Sequence, residues 1–79
     1  MRLDKYLKVS RIIKRRTVAN ELCDAQHVSV NGKVQRASYD VKEGDRIDIR
    51  MGEKVISVEV VSVLEHATKA NAGDMYKPL

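Results

Sequence analysis

Apolar residues at the start of the chain recur at the spacing of a short helix. Leu3 and Leu7 stand four positions apart with Tyr6 beside them, which predicts a helix over residues 2–9 with one apolar edge. Two polar residues then interrupt the pattern. The adjacent isoleucines that follow at positions 12 and 13 are predicted to anchor a connecting turn.

A second helix is predicted over residues 14–25. Three cations, Lys14, Arg15 and Arg16, stand at its start, although the N-terminus of a helix is stabilised by anions. One interpretation is a solvated run of charge. The other is a phosphate site, because unpaired backbone N–H groups and three cations meet there. The apolar positions of this helix form a single stripe, which consists of Val18, Ala19, Leu22 and Cys23.

Short extended segments after the second helix predict a hairpin. Strands at residues 27–30 and 33–35 flank Asn31-Gly32, the pair that is favoured in a two-residue turn with positive φ at both positions. Residues 38–41 are a further candidate strand.

Two longer segments predict the centre of a sheet. Residues 46–51 alternate without interruption and place Ile47, Ile49 and Met51 toward the core. A tight turn then leads into a strand over residues 55–64. Its alternation changes phase after position 60, where either a bulge or burial on both faces would explain the change.

Together these elements predict one α+β domain over residues 1–64, with two short N-terminal helices packed on a small twisted antiparallel sheet. Residues 65–79 have few apolar positions and predict a loose or partly helical tail. No apolar run reaches the roughly 18 residues of a membrane span, and the start lacks the apolar stretch of a secretory signal. We therefore expect a cytoplasmic protein without a membrane partner.

Charge is distributed unevenly along the chain. The net charge is +4, but residues 1–36 carry nine basic and three acidic side chains, whereas residues 37–79 carry six basic and eight acidic ones. The positive charge gathers within the first 16 residues. A surface charged only for solubility would mix the signs, so this distribution indicates a polyanionic partner.

Catalytic and metal sites have no support in the sequence. Cys23 is the single cysteine, and with only His27 and His66 available it cannot build a zinc site, so it is predicted to be a small core residue. No nucleophile, base and oxyanion donor can be placed together. We expect no enzymatic activity, no metal and no cofactor.

Several short motifs, weak one by one, together resemble the S4-type RNA-binding domain family over residues 1–50. The opening Met-Arg-Leu-Asp-Lys, the Lys-Arg-Arg-Thr stretch at 14–17 and the Asp-Met-Tyr stretch at 74–76 are most similar to stand-alone bacterial members that associate with ribosomes. The motifs are Arg2-Leu3-Asp4 with Leu7, Arg16 and Ala19 on the second helix, Val28-Ser29-Val30-Asn31-Gly32-Lys33, and Val41 with Gly44-Asp45-Arg46-Ile47.

The resemblance implies both a fold and a partner. The fold is the S4-like αL motif, in which the helical pair and the adjoining turn grip RNA, and Arg2 and Arg16 match the basic positions of the family. In the members that act in ribosome-associated quality control, the implied partner is a large ribosomal subunit that still holds a tRNA-linked nascent chain. We therefore expect a monomer that binds ribosomal RNA and also tRNA.

The candidate RNA contacts are the cations of the N-terminal helices and the polar residues of the hairpin turn. Arg2 and Arg16 are expected to be the most important phosphate contacts, and Asn31 to add a contact to a base or sugar. Tyr6 is predicted to lie at the edge of the core. The alternative is that its ring stacks on an RNA base. The full set is Arg2, Lys5, Lys8, Arg11, Lys14, Arg15, Arg16, Asn31 and Lys33.

Two positions depart from the family pattern. The family often has Ser where this chain has Arg15, a change that removes a helix cap but adds charge. It often has Gly where this chain has Gln26, although a left-handed helix end favours Gly or Asn. These departures put the helix cap and the turn in question, but not RNA binding.

Two other binding functions stay open as alternatives. A DNA-binding regulator could use the helices as a helix-turn-helix, but the second helix carries its charge mainly at its start and has Asn20 as its lone suitable base reader. A membrane-surface or protein-adaptor module would need a broad apolar face beside the cations, and the first helix is too short to provide one.

Overall fold

The computed structural model describes residues 1–64 and 71–79, and it contains two α-helices packed on an antiparallel sheet. The five strands found among the described residues lie in the order β2-β1-β3-β4-β5. This architecture confirms the predicted α+β class. The elements are α1 (Leu3–Val9), α2 (Arg16–Asp24), β1 (Val28–Val30), β2 (Lys33–Val34), β3 (Arg46–Met51), β4 (Lys54–Val60), a 3₁₀ helix (Ala72–Met75) and β5 (Tyr76–Pro78).

Helix α1 places its apolar edge in the centre of the core, as the spacing predicted. Leu3, Tyr6 and Leu7 are fully buried. The Tyr6 hydroxyl donates a hydrogen bond to the Met75 carbonyl oxygen at 2.7 Å. Tyr6 therefore belongs to the core, which excludes the alternative of a stacking platform for RNA bases. Ile13 is also buried and anchors the connection to α2.

Helix α2 begins at Arg16, two residues later than predicted. Arg15 is extended, with φ −126° and ψ 132°, so Lys14 and Arg15 belong to the loop before the helix. Ala19 and Cys23 are buried as predicted, whereas Val18 lies at the edge of the stripe and is 37% exposed. The buried thiol confirms that Cys23 is a core residue, and burial, with smaller contributions from nearby carboxylates, raises its pKa to about 11.

The end of α2 is a left-handed cap that lacks the usual glycine. Gln26 has φ 63°. Its N–H donates to the Cys23 carbonyl at 3.0 Å, and the His27 N–H donates to the Leu22 carbonyl at 2.9 Å. These two bonds are the Schellman arrangement, which satisfies the last carbonyl groups of the helix. The turn therefore forms as the family resemblance implies, and Gln26 occupies a conformation that costs a non-glycine residue about 1 kcal/mol.

The hairpin predicted at Asn31-Gly32 is present. Asn31 has φ 54° and Gly32 has φ 82°, so both central residues have the positive φ of the predicted turn. Val30 pairs with Lys33 across it. In the neighbouring hairpin, Ile47 and Ile49 are buried as predicted. Met51 is 40% exposed, because it pairs with Lys54 at the turn end of the β3–β4 hairpin.

Two segments differ from the predicted strands. Residues 38–41 form no strand and contribute a single bridge between Arg2 and Asp40, because this segment packs against the start of α1 and not along a neighbouring strand. Strand β4 ends at Val60 and not at residue 64. The N–H groups of the next two residues both donate to the Met75 carbonyl, at 2.9 and 3.1 Å. The phase change thus marks the end of the strand.

The described part of the C-terminal segment, residues 71–79, is ordered into the sheet. It begins with the 3₁₀ helix, whose Met75 is fully buried, and continues as β5. Strand β5 pairs with β4 through Val60 and Tyr76. The prediction of a loose or partly helical tail agrees with the 3₁₀ helix but was wrong for β5, because a strand of three residues leaves almost no alternation in the sequence. Residues 65–70 of the predicted tail lie outside the described residues.

Candidate nucleic-acid interface

A buried carboxylate connects the starts of the two helices. Asp4, in the first turn of α1, is 2% exposed. Its Oδ1 lies 3.1 Å from Arg2 Nε, and its Oδ2 lies 3.3 Å from Arg16 Nε. The same carboxylate accepts hydrogen bonds from the backbone N–H of Lys5 at 2.8 Å and from Asn20 Nδ2 at 3.4 Å. We call Arg2, Asp4, Arg16 and Asn20 the Asp4 cluster.

The hydrogen bonds of the cluster keep Asp4 charged despite its burial. Burial by itself would raise the pKa of the Asp4 carboxyl group. The hydrogen bonds from Arg2, Asn20, Arg16 and the Lys5 backbone outweigh burial, so this pKa lies below its ordinary value. The cluster therefore contains two guanidinium groups held by one carboxylate, and it has a net positive charge at neutral pH.

The two arginines of the cluster keep part of their surface open to solvent. The Arg2 and Arg16 side chains are 50% and 48% exposed. Arg16 bonds to Asp4 through Nε, and its two terminal NH₂ groups make no hydrogen bond to any residue that the structure describes. A guanidinium held at one edge and open at the other can bind a phosphate group with two parallel hydrogen bonds.

The remaining cations of the helical region lie outside the cluster. Lys8 lies exposed on α1, and Arg11 lies in the loop after α1 with φ 62°. Lys14 and Arg15 are exposed before α2. In the part of the chain that the structure describes, none of these four side chains has an ion pair. Lys5 is half-buried on α1. The structure thus places these basic residues on α1, in the loop that follows it and in the segment that precedes α2.

The start of α2 has no side-chain cap, as the departure at Arg15 implied. We expect Arg15→Ser to raise the free energy of unfolding by about 1 kcal/mol, because a serine hydroxyl can accept from the free N–H groups of the first turn. The same change removes an exposed cation and is expected to weaken RNA binding. Urea unfolding and RNA titration of one preparation check both effects. A variant that is neither more stable nor weaker in binding would contradict this account of Arg15.

The hairpin residues predicted as RNA contacts lie apart from the Asp4 cluster. The Asn31 amide donates to Asp45 Oδ1 at 3.0 Å and accepts from the Arg46 N–H at 3.0 Å. Asn31 therefore braces the hairpin, and its contact with RNA stays a prediction. Lys33 is exposed on β2 and makes no ion pair with any described residue, so it remains a candidate phosphate contact.

Two members of the cluster were not selected as site residues from the sequence. In the sequence, Asp4 is only part of a family motif, and Asn20 is only a candidate reader of DNA bases. A usable signal was present, since Asp4 is the single acidic residue among the first 20 positions, within a strongly basic segment. An isolated acidic residue among cations is a candidate for an internal ion pair.

Comparison with known proteins agrees with this geometry. The family model of the S4 domain matches residues 1–47, which include both helices and the first hairpin. The chain belongs to the S4 domain family. The S4 match contains the whole Asp4 cluster and the cations around it.

Relatives that match nearly the whole chain indicate which members of the S4 family it resembles. The chain is 51% identical over 77 residues to the RQC P-site tRNA stabilizing factor of Halalkalibacterium halodurans, covering 98% of this chain and 88% of that protein. It is 49% identical over 76 residues to the factor of the same name from Bacillus subtilis, covering 96% and 88% of the two chains. The resemblance to the quality-control members of the family is thereby confirmed.

A solved structure supports the fold. The chain superposes on the trimeric structure of Vibrio cholerae Heat Shock Protein 15 with a TM-score of 0.91, at 25% identity, over 100% of this chain and 81% of that one. Among the residues that the structure describes, no helix is long and apolar enough to cross a membrane.

Proposed function

We propose that this protein binds RNA on the large ribosomal subunit and stabilises tRNA there during quality control of stalled nascent chains. The observation that carries the proposal is the Asp4 cluster, in which a buried carboxylate holds Arg2 and Arg16 side by side. Two fixed guanidinium groups beside the start of a helix suit neighbouring phosphates of a folded RNA. The relatives are named as P-site tRNA stabilizing factors, which supports tRNA as the second RNA contacted.

The protein acts in this proposal by positioning, without catalysis. The names of the relatives describe a stabilizing factor and no chemical reaction. Arg and Lys side chains that contact phosphates fix the orientation of a bound RNA but read little sequence. Recognition then depends on the shape of the ribosomal site and of the tRNA within it. We propose that a cytoplasmic monomer carries out this role.

Co-sedimentation of the purified protein with ribosomal particles tests the proposal. We expect it to pellet with large subunits that carry a peptidyl-tRNA, more weakly with empty large subunits, and not with small subunits. Equal pelleting with all three particles would reject specific binding to the large subunit. Duplex DNA serves as a competitor, because a DNA-binding regulator would prefer it to the ribosome. That alternative is weakened by Asn20, its single candidate base reader, whose amide is bonded to Asp4.

The salt dependence of binding is the first quantitative test. If about five phosphates are neutralised, the logarithm of the association constant should fall against the logarithm of salt concentration with a slope of about −3.5 to −4.5. The reason is that each neutralised phosphate releases condensed counterions. Titrations at several salt concentrations measure the slope. A slope near zero would show that the exposed cations around the Asp4 cluster do not contact phosphates.

A further inference from the structure

A polar groove runs beside the Asp4 cluster, between α2 and the segment that follows β2. It has a volume of about 900 Å³, within the roughly 300–1,000 Å³ of typical small-molecule sites. Arg2 and Asn20 of the cluster lie at its lining and connect the groove to the candidate interface. The groove is also lined by Asp24, Gln26, Gln35, Arg36 and Tyr39.

Three of these side chains have no polar partner among the described residues. Gln35 is half-buried, and Gln26 and Arg36 are exposed. Within the described residues, none of their side chains makes a hydrogen bond or an ion pair. Gln26 also holds a left-handed backbone conformation where glycine would be more stable, so its side chain is present in the groove at a cost to folding.

Tyr39 supplies a fixed aromatic wall. Its hydroxyl donates to Asp45 Oδ2 at 3.0 Å, and its carbonyl oxygen accepts from the Leu3 N–H at 2.8 Å. The first bond fixes the ring and the second fixes the backbone at Tyr39, which is one of the residues that line the groove. Aromatic rings held in this way are the usual stacking partners of unpaired RNA bases.

We propose that this groove binds a single unpaired nucleotide of RNA. Tyr39 stacks on the base, the Gln26 and Gln35 amides bond to its edge, and Arg2 with Arg36 bind its phosphate. The Asp24 carboxylate can accept from an exocyclic amino group, which favours adenine, cytosine or guanine over uracil. The inference rests on the proposed RNA-binding function and adds a subsite for a base to its phosphate contacts.

Titration of the protein with the four nucleoside 5′-monophosphates, followed by NMR, tests the subsite without ribosomes. We expect shifts in the side-chain amide signals of Gln26 and Gln35 and in the backbone signals of residues 34–39, larger with adenosine, cytidine and guanosine monophosphate than with uridine monophosphate. Inorganic phosphate is the control. If it reproduces the same shifts, or if only the cations of α1 respond to the nucleotides, the groove does not bind a base.

Two variants separate binding from folding. Gln26→Gly relieves the left-handed strain, so it should fold at least as stably as the parent yet bind adenosine monophosphate about threefold to tenfold more weakly. Arg36→Ala should weaken binding by a similar factor, because it removes a charged contact to phosphate. Arg46→Ala, an exposed change on β3 that does not line the groove, is the matched control. Unchanged nucleotide affinity in both groove variants would overturn the proposal.

Failure of this subsite can be distinguished from failure of the proposed function. Nucleotide titration uses no ribosomal component, whereas co-sedimentation measures the whole interface. Ribosome binding without a nucleotide response would leave the phosphate contacts in place and remove the base subsite. A nucleotide response without ribosome binding would keep the groove and reject the assignment to the large subunit.

Discussion

Replacement of Arg16 with alanine is expected to weaken binding to large ribosomal subunits by about 1 to 3 kcal/mol. Arg16 is half-exposed at the first position of α2, and Asp4 holds its Nε while its terminal NH₂ groups face away from any described partner. The variant loses a pre-oriented phosphate contact. The fold should lose at most about 1 kcal/mol, since Arg2 and Asn20 still bond to Asp4.

The chain offers a matched control for this variant. Arg46 is also an exposed arginine whose Nε contacts an aspartate, at 3.4 Å from Asp48 Oδ1, but it lies on β3 away from the helix starts. Arg46→Ala should bind normally. Arg16→Lys should recover only part of the loss, because a point charge cannot make two parallel hydrogen bonds to one phosphate. If Arg46→Ala loses binding while Arg16→Ala keeps it, RNA binds to the opposite side of the domain.

The sequence predicted those elements whose side chains repeat with a clear period. Leu3 and Leu7 on α1 and Ile47 and Ile49 on β3 are buried as their spacing predicted, whereas Met51 at the end of the same alternation is exposed. The Asn31-Gly32 turn was correct because few residue pairs accept positive φ at both positions. The family resemblance pointed to Arg2 and Arg16 as basic positions, and the structure shows that the shared carboxylate of Asp4 brings them together.

The wrong predictions lie in segments whose structure depends on backbone contacts more than on the pattern of apolar side chains. Strand β5 is held by pairing with β4, a long-range backbone contact that leaves little trace in a three-residue segment. The segment over residues 38–41 was assigned as a strand for the opposite reason, because its residues suit an extended conformation but it bridges only to Arg2. The left-handed conformation of Arg11 was not predicted, since the residue is not a glycine, whereas that of Gln26 was implied by the family resemblance alone.

Each of these two left-handed residues follows the end of a helix, and the side chain of each is proposed to contact RNA. Arg11 follows α1 and carries one of the exposed cations, and Gln26 follows α2 and lines the polar groove. Strained backbone is retained when the side chain that it carries has a use that glycine could not supply. The same tension between stability and binding applies to Arg15, where a capping residue would stabilise α2 but remove a cation.

Asp4→Asn is expected to lower the free energy of unfolding at pH 7 by about 1 to 3 kcal/mol, because it replaces charge-assisted hydrogen bonds to a buried carboxylate by neutral ones. For a chain of 79 residues this corresponds to a fall in melting temperature of about 5–15 °C. RNA binding should also weaken, although the variant has one more unit of positive charge, because Arg2 and Arg16 lose the anion that orients them. Tighter binding would show that Asp4 only reduces the charge of the interface.

The pH dependence of this difference identifies its origin. The pKa of Asp4 is lowered in the folded protein, so its contribution to stability is complete above the ordinary pKa of 3.8 and is lost as the pH falls through the lowered value. The stability curves of the parent and of Asp4→Asn should therefore lie apart at pH 7 and converge as the pH falls below 3.8 and through the lowered pKa of Asp4. The N-terminal ion pair with Asp40 also weakens in acid, but it is present in both proteins and cancels in the difference. Urea unfolding across this range measures both curves, and a gap that stays constant down to low pH would show that the loss comes from altered packing and not from the charge of Asp4.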